Sequence, residues 1–283
     1  MHKSLNTLIL ALVFTAAIPP VSANGNRGDA YVSEGRASVE VRSDVGWIGP
    51  GQTFNLIVAI SPDPEWHVYW KNPGVSGAPT DFEVSAPVGY KVGEPVFPRP
   101  SIFNTSDGPT YGYSELAAVF IPVTAPQVIE DETVTFEIIT MWLACKKVCV
   151  LGEQESKLTL STNSQLEGPQ HKEMRLSRWK NSLPARLDTL KEGKCRIEGS
   201  SLIISGTSGG RPVSFIGVER LGVRFKDHST SVGDEGKFNL TIPLTLNFSA
   251  TDTDTIVVEG LVLLGRNPND PSYVVRVIAN APH

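Results

Sequence analysis

Hydrophobic and polar positions alternate with a period of two along most of the chain, the pattern of strands with one buried face. Ala37-Ser-Val-Glu-Val-Arg42 and Glu155-Ser-Lys-Leu-Thr-Leu-Ser161 alternate, and the run from Thr133 to Leu143 carries the pattern further. Thr53-Phe-Asn-Leu-Ile-Val-Ala-Ile60 follows a Gly49-Pro-Gly51 turn. Glu115 to Val123 reads as strand, and Thr80–Val84 and Tyr90–Val92 read as short strands about the Ala86–Gly89 turn. These elements predict a β-sandwich over residues 24–162. Residues 163–189 read as a polar linker with one helix, Gln170–Leu183, carrying Met174, Leu176 and Trp179 near one face and ended by Pro184. Further strand-like runs begin at Cys195, Ser201, Pro212, Phe238, Thr255 and Tyr273. They predict a second, sandwich-like β domain over residues 190–283, making the whole chain all-β apart from the helix.

Two segments stand out from this pattern. In Glu65-Trp-His-Val-Tyr-Trp-Lys-Asn-Pro-Gly74 the alternation puts Trp66, Val68 and Trp70 on one face and His67, Tyr69 and Lys71 on the other. The Trp/Val face is the core candidate. His67 and Tyr69 then face either a cleft or half-exposed sheet surface. Residues Ile102–Tyr113 read as a long polar, Gly-containing loop with Phe103, Tyr111 and Tyr113 embedded in it, a length associated with lids and binding loops. Those aromatics either cover a reactive group or pack the loop down.

The N-terminus changes the compartment. Lys3, the apolar run Leu8–Ile18, Pro19-Pro20 and Val21-Ser-Ala23 have the form of an export signal over residues 1–23. No later segment approaches the roughly 20 apolar residues of a membrane span, so the expectation is a soluble, exported chain without stable membrane insertion. Loss of Lys3 takes the formal charge from −5 to −6, which argues against a nucleic-acid surface. Three cysteines are too few for a disulfide-stapled scaffold, so the cores must be hydrophobic.

Cys145 and Cys149 end the longest alternating run, with Lys146 and Lys147 between them. Residues four apart on an extended strand lie about 13 Å apart, whereas a disulfide needs Cα atoms within about 4.4–6.8 Å. A bond between these sulfurs therefore requires a turn. Three readings stay open. A closed zinc site wants four ligands and no second pair is visible, although copper needs fewer; no resident metal or cofactor is expected. A static disulfide is open, but a short loop is a poor staple. A redox dithiol is favoured by the two lysines, whose charges promote a thiolate. Cys195 reads as a buried inert thiol or as one with an intermolecular or regulatory role. Ser205-Gly-Thr-Ser-Gly-Gly210 reads as a turn rather than a phosphate loop.

Glu65–Gly77, Tyr111-Gly-Tyr-Ser-Glu115 and Trp142-Leu-Ala-Cys-Lys-Lys-Val-Cys149, in that order, resemble the periplasmic N-terminal domain of the thiol:disulfide interchange protein DsbD, and more closely its suppressor-of-copper-sensitivity B-like relatives. The resemblance covers about residues 30–162. It implies an immunoglobulin-like β-sandwich whose Cys145/Cys149 pair takes electrons from a membrane-embedded or thioredoxin-like donor and passes them to periplasmic disulfide-bonded proteins, the chemistry of a thiol:disulfide oxidoreductase component. It further implies aromatic neighbours at His67 and Tyr69, a cap at Phe103–Tyr113, and Cys149 as the attacking thiol. The Cys-x3-Cys spacing is narrower than in plain DsbD, and no aromatic directly precedes Tyr111. With no membrane or thioredoxin-like domain in the sequence, electrons are expected to come from a separate protein. The competing expectation is a binding or assembly protein with a static disulfide, involved in copper handling.

Overall fold

The alternating runs form strands that pair, nearly all of them antiparallel, into four sheets. The structure, a computed structural model, describes residues 29–30, 35–163, 174–226, 229–232, 234–251 and 253–281. The expected export segment and residues 164–173 of the expected linker lie outside them.

Eleven strands make the first unit: β1 (Asp29–Ala30), β2 (Ala37–Ser43), β3 (Thr53–Pro62), β4 (His67–Gly74), β5 (Asp81–Ser85), β6 (Lys91–Val92), β7 (Ser101–Thr105), β8 (Gly108–Tyr113), β9 (Ala117–Thr124), β10 (Thr133–Cys145) and β11 (Cys149–Ser161). One sheet runs β1-β11-β10-β4-β8-β7, with β5 on the lower half of β10; the other runs β2-β3-β9-β6. Val41, Phe54, Leu56, Val58, Val119 and Ile121 of the second sheet pack against Val68, Trp70, Phe136, Ile138, Trp142 and Leu158 of the first. This is an immunoglobulin-like β-sandwich.

The helix α1 (Met174–Asn181) follows. Within the described residues the expected helix runs to Asn181 rather than Leu183, and residues 170–173 of it lie outside the described ones. Leu176, Trp179 and Leu183 pack on Ile57, Ala118 and Phe120, the outward residues of β3 and β9. That second contact explains why Leu56–Ile60 is continuously apolar rather than alternating: the strand is buried on both faces.

The second unit holds β12 (Ala185–Arg186), β13 (Lys194–Glu198), β14 (Ser201–Thr207), β15 (Val213–Val218), β16 (Val223–Phe225), β17 (Ser229–Val232), β18 (Lys237–Leu246), β19 (Thr255–Leu264) and β20 (Ser272–Asn280). Its sheets run β12-β20-β19-β15 and β13-β14-β18-β16, with β17 also on β18. The unit takes in Ala185, because β12 pairs in parallel with β20. Leu202, Ile204, Phe238, Leu240, Val258 and Val262 fill its core. Cys195 is a half-buried free thiol against that core, and burial pushes its pKa up.

β19 separates the two cores. Val258, Val262 and Leu264 face its own core, while Leu261 and Leu263 join Ile216 and Val218 of β15 in the core cluster of the first unit. Arg99, 6 % exposed, crosses the same boundary. Its Nη1 donates to the carbonyls of Leu264 at 3.1 Å, Asp270 at 3.3 Å and Pro271 at 2.9 Å, and its Nη2 to that of Gly265 at 2.8 Å.

Candidate functional site

β10 and β11 form one long hairpin whose register runs from Thr133↔Ser161 to Cys145↔Cys149. The tip, Lys146–Val148, closes with Lys146 N–H donating to the Val148 carbonyl at 3.0 Å. The facing cysteines have Cα atoms 4.1 Å apart and are bonded as a disulfide. The turn required by the spacing is a hairpin tip.

The two sulfurs sit in different surroundings. Cys145 is 4 % exposed whereas Cys149 is exposed. Val148 and Leu151, at 65 % and 77 % exposure, give Cys149 an apolar rim. A nucleophile approaching this disulfide reaches Cys149 and leaves Cys145 as the departing sulfur.

β4 covers Cys145. Its ladder with β10 pairs His67 with Cys145 and Val68 with Ala144, so His67 shares the face of Cys145 and Tyr69 lies two positions along on that face. The Tyr69 hydroxyl donates to Cys145 Sγ at 3.4 Å, and the His67 and Tyr69 rings meet edge-on at 5.2 Å. Val68 and Trp70 point into the core, with Trp66 partly buried beside them. Tyr69 is itself buried. Thr80 Oγ1 donates to its carbonyl at 2.6 Å, and Gly77, at φ +102°, lies against its ring where a Cβ would collide. Burial lowers the His67 pKa and raises that of Tyr69. Both are uncharged at neutral pH.

Residues Ile102–Tyr113 are not a loop. They form the hairpin β7–β8, which turns at Ser106-Asp107 and pairs Phe103 with Thr110 and Ile102 with Tyr111. Phe103 stacks on His67 with ring centroids 4.8 Å apart. Tyr111 is not brought to the disulfide. It follows Thr110, the partner of Phe103, so it points to the opposite face and packs on the core. Tyr113 shares that face and donates to the Pro98 carbonyl at 2.8 Å.

The lysines divide. Lys146 ion-pairs with Glu65, whose carboxyl is held below its usual range by the Lys146 hydrogen bond and charge. Glu65 sits at positive φ in the turn before β4. Lys147 is exposed and has no ion pair among the described residues. Alternation in the sequence placed His67 and Tyr69 together. The Glu65–Lys146 pair, the Gly77/Thr80 seat and the Val148/Leu151 rim were missed; of these only the rim carried a sequence signal, since Leu151 lies two positions from Cys149.

Residues 37–161 match the family described as thiol:disulfide interchange protein DsbD, N-terminal. The first domain belongs to that family. No curated protein sequence matches the chain. Among solved structures, the N-terminal periplasmic domain of ScsB from Proteus mirabilis is similar at 15% identity and a TM-score of 0.60, covering 92% of this chain and 100% of that one. The fold of both units is thus one already seen joined in a single structure. The sporulation control protein Spo0M from Bacillus subtilis is similar at 12% identity and a TM-score of 0.25, covering 86% of this chain and 91% of that one. Within the DsbD N-terminal-like domain, the disulfide, His67, Tyr69 and Phe103 form one contiguous cluster at one end of the sandwich.

Proposed function

We propose that the chain is a periplasmic thiol-disulfide exchange module that carries two electrons between a reduced donor and oxidised acceptor proteins. The observation that carries this reading is the asymmetry of the disulfide: Cys149 exposed at a hairpin tip, Cys145 buried under the Tyr69 hydroxyl. Exchange needs one accessible sulfur and one that resolves. A donor thiolate, from a membrane-embedded or thioredoxin-like partner, attacks Cys149 Sγ. The Cys145–Cys149 bond breaks, Cys145 leaves as a thiolate and takes a proton, and the donor's second thiol then displaces Cys149. The donor is oxidised to its disulfide and the pair is reduced to two thiols. In the second half-cycle Cys149 attacks an acceptor disulfide and Cys145 resolves the mixed disulfide, regenerating the bond.

His67, Tyr69 and Phe103 shield Cys145, and Lys147 supplies a positive charge at the tip that has no ion pair among the described residues. The DsbD family membership of the first domain and the likeness of both units to a periplasmic domain support the compartment and the class of partner.

The test is trapping. Cys145→Ser leaves Cys149 to attack without a resolving thiol, and is expected to accumulate mixed disulfides with periplasmic proteins, whereas Cys149→Ser accumulates few. A reduction potential far below about −300 mV, the range of resistant structural bonds, with no adduct on either variant, overturns the proposal. Stoichiometric copper binding by the reduced protein under those conditions favours the copper-handling alternative.

A further inference from the structure

The strand that carries the contacts to the disulfide leaves the sheet directly after making them. β4 pairs with β10 only at His67 and Val68. Its ladder with β8 holds Val68 and Tyr69, then breaks register and resumes only at Gly74. Among the described residues, the stretch Trp70–Pro73 therefore has no strand partner of its own. The second unit catches it there. Lys71 Nζ ion-pairs with Glu259, and Asn72 Nδ2 donates to the Gly217 carbonyl of β15.

Glu259 is the one charged residue in the apolar run Ile256–Leu264 and is only 9 % exposed. On β19 it shares the face of Leu261 and Leu263, directed at the first unit. Arg276 lies opposite it on β20, and Arg220 Nη2 reaches its other oxygen at 3.1 Å. Burial works to raise its pKa, but Lys71, Arg220 and Arg276 together hold it below the usual range. It remains a carboxylate at neutral pH, fixed from its own domain and reaching across to Lys71, two residues from Tyr69.

We propose that Glu259 is a positioning residue for the redox site: by holding Lys71 it fixes β4 so that the Tyr69 hydroxyl stays on Cys145 Sγ. This assigns the second β domain the part of a back plate for the exchange centre, and it rests on the exchange reading above. A sulfur accepts a hydrogen bond far better as a thiolate than as a disulfide, so a well-placed Tyr69 favours the reduced pair through the share of it in which Cys145 has lost its proton. Loosening β4 makes the pair harder to reduce.

The test is the Cys145/Cys149 equilibrium with glutathione. Glu259→Gln is expected to lower the equilibrium constant for reduction three- to tenfold, about 15–30 mV more negative for a two-electron couple. Tyr69→Phe is expected to do the same, and the double variant no more than Tyr69→Phe alone, because both act through one hydrogen bond. Arg196→Ala, which breaks an exposed ion pair with Glu198 elsewhere in the second domain, is expected to leave the equilibrium unchanged. Should Glu259→Gln not fold, Lys71→Gln cuts the same link from the first domain and reads the same shift. An unshifted potential in the Glu259 or Lys71 variant, or shifts that add in the double variant, overturns the proposal. The potential of any disulfide is measurable, so a wild-type protein that traps no partner sinks the exchange reading while this shift still reports on Glu259.

Discussion

His67 is the residue where chemistry and stability meet. Its ring is pressed between Tyr69 and Phe103, and burial lowers its pKa from 6.5. A histidine with a depressed folded pKa binds its proton more readily in the unfolded chain, so the unfolded state gains protons first as pH falls. Its contribution is therefore complete above about pH 6.5 and is lost as pH drops from there toward the lowered folded value. The unfolding free energy of the oxidised protein, measured by denaturant titration, is expected to fall as pH drops below about 6.5, and His67→Gln is expected to flatten that slope. An unchanged slope in the variant would mean that other groups set the acid response. Cys149 needs no such protection. It stands in solvent beside Val148 and Leu151, and the protected partner is Cys145.

The proposed cap is a property of an element. The β7–β8 hairpin carries Phe103 onto His67, and Gly112 lets β8 approach β4 closely, since a Cβ there would run into the Val68 carbonyl. Phe103→Ala removes the stacked cover and leaves the hairpin ladder intact. It is expected to speed reduction of the disulfide by a small thiol several-fold, read as a rate, at a stability cost of about 1–2 kcal/mol for a half-buried aromatic. An unchanged rate would show that Phe103 packs the hairpin and does not gate the sulfur. This hairpin also marks where the sequence stops being legible. The long strands, the β-sandwich class and the shared face of His67 and Tyr69 follow from period-2 alternation, because each rests on local pattern. Gly108, Pro109 and Gly112 interrupt that pattern in β8, so two paired strands read as a loop whose aromatics either cover a reactive group or pack down, and Tyr111 packs on the core. Contacts between distant segments, such as Glu65 with Lys146 or Gly77 with Tyr69, leave no local trace.

At the scale of the molecule, the two sandwiches share a boundary with apolar and polar parts. The continuous apolar run of β19 carries that information in sequence form, because a strand with hydrophobic residues on both faces must be covered on both. What it does not carry is the identity of the second cover, which is the first domain. Arg99 seals the polar part of the boundary. Its guanidinium serves four carbonyls on the two sides of the Leu264–Pro271 turn, and the preceding residue, Pro98, accepts the hydroxyl of Tyr113 at the base of the cap hairpin. Burial lowers the Arg99 pKa, with Asp270 opposing; an arginine stays charged all the same. Arg99→Ala strands buried carbonyl groups and removes a charged donor, so a loss of about 2–4 kcal/mol is expected. Lysine cannot reproduce the planar fork, and Arg99→Lys is expected to recover less than half of it. Denaturant unfolding followed separately by Trp fluorescence and by Cys195 alkylation checks this: Trp66, Trp70 and Trp142 report the first domain, and Cys195 the second. The two probes are expected to coincide in the parent protein and to separate in Arg99→Ala, because the domains then unfold without waiting for each other. Coincident transitions with full stability in the variant would place the coupling in the apolar seam of Ile216, Val218, Leu261 and Leu263 alone.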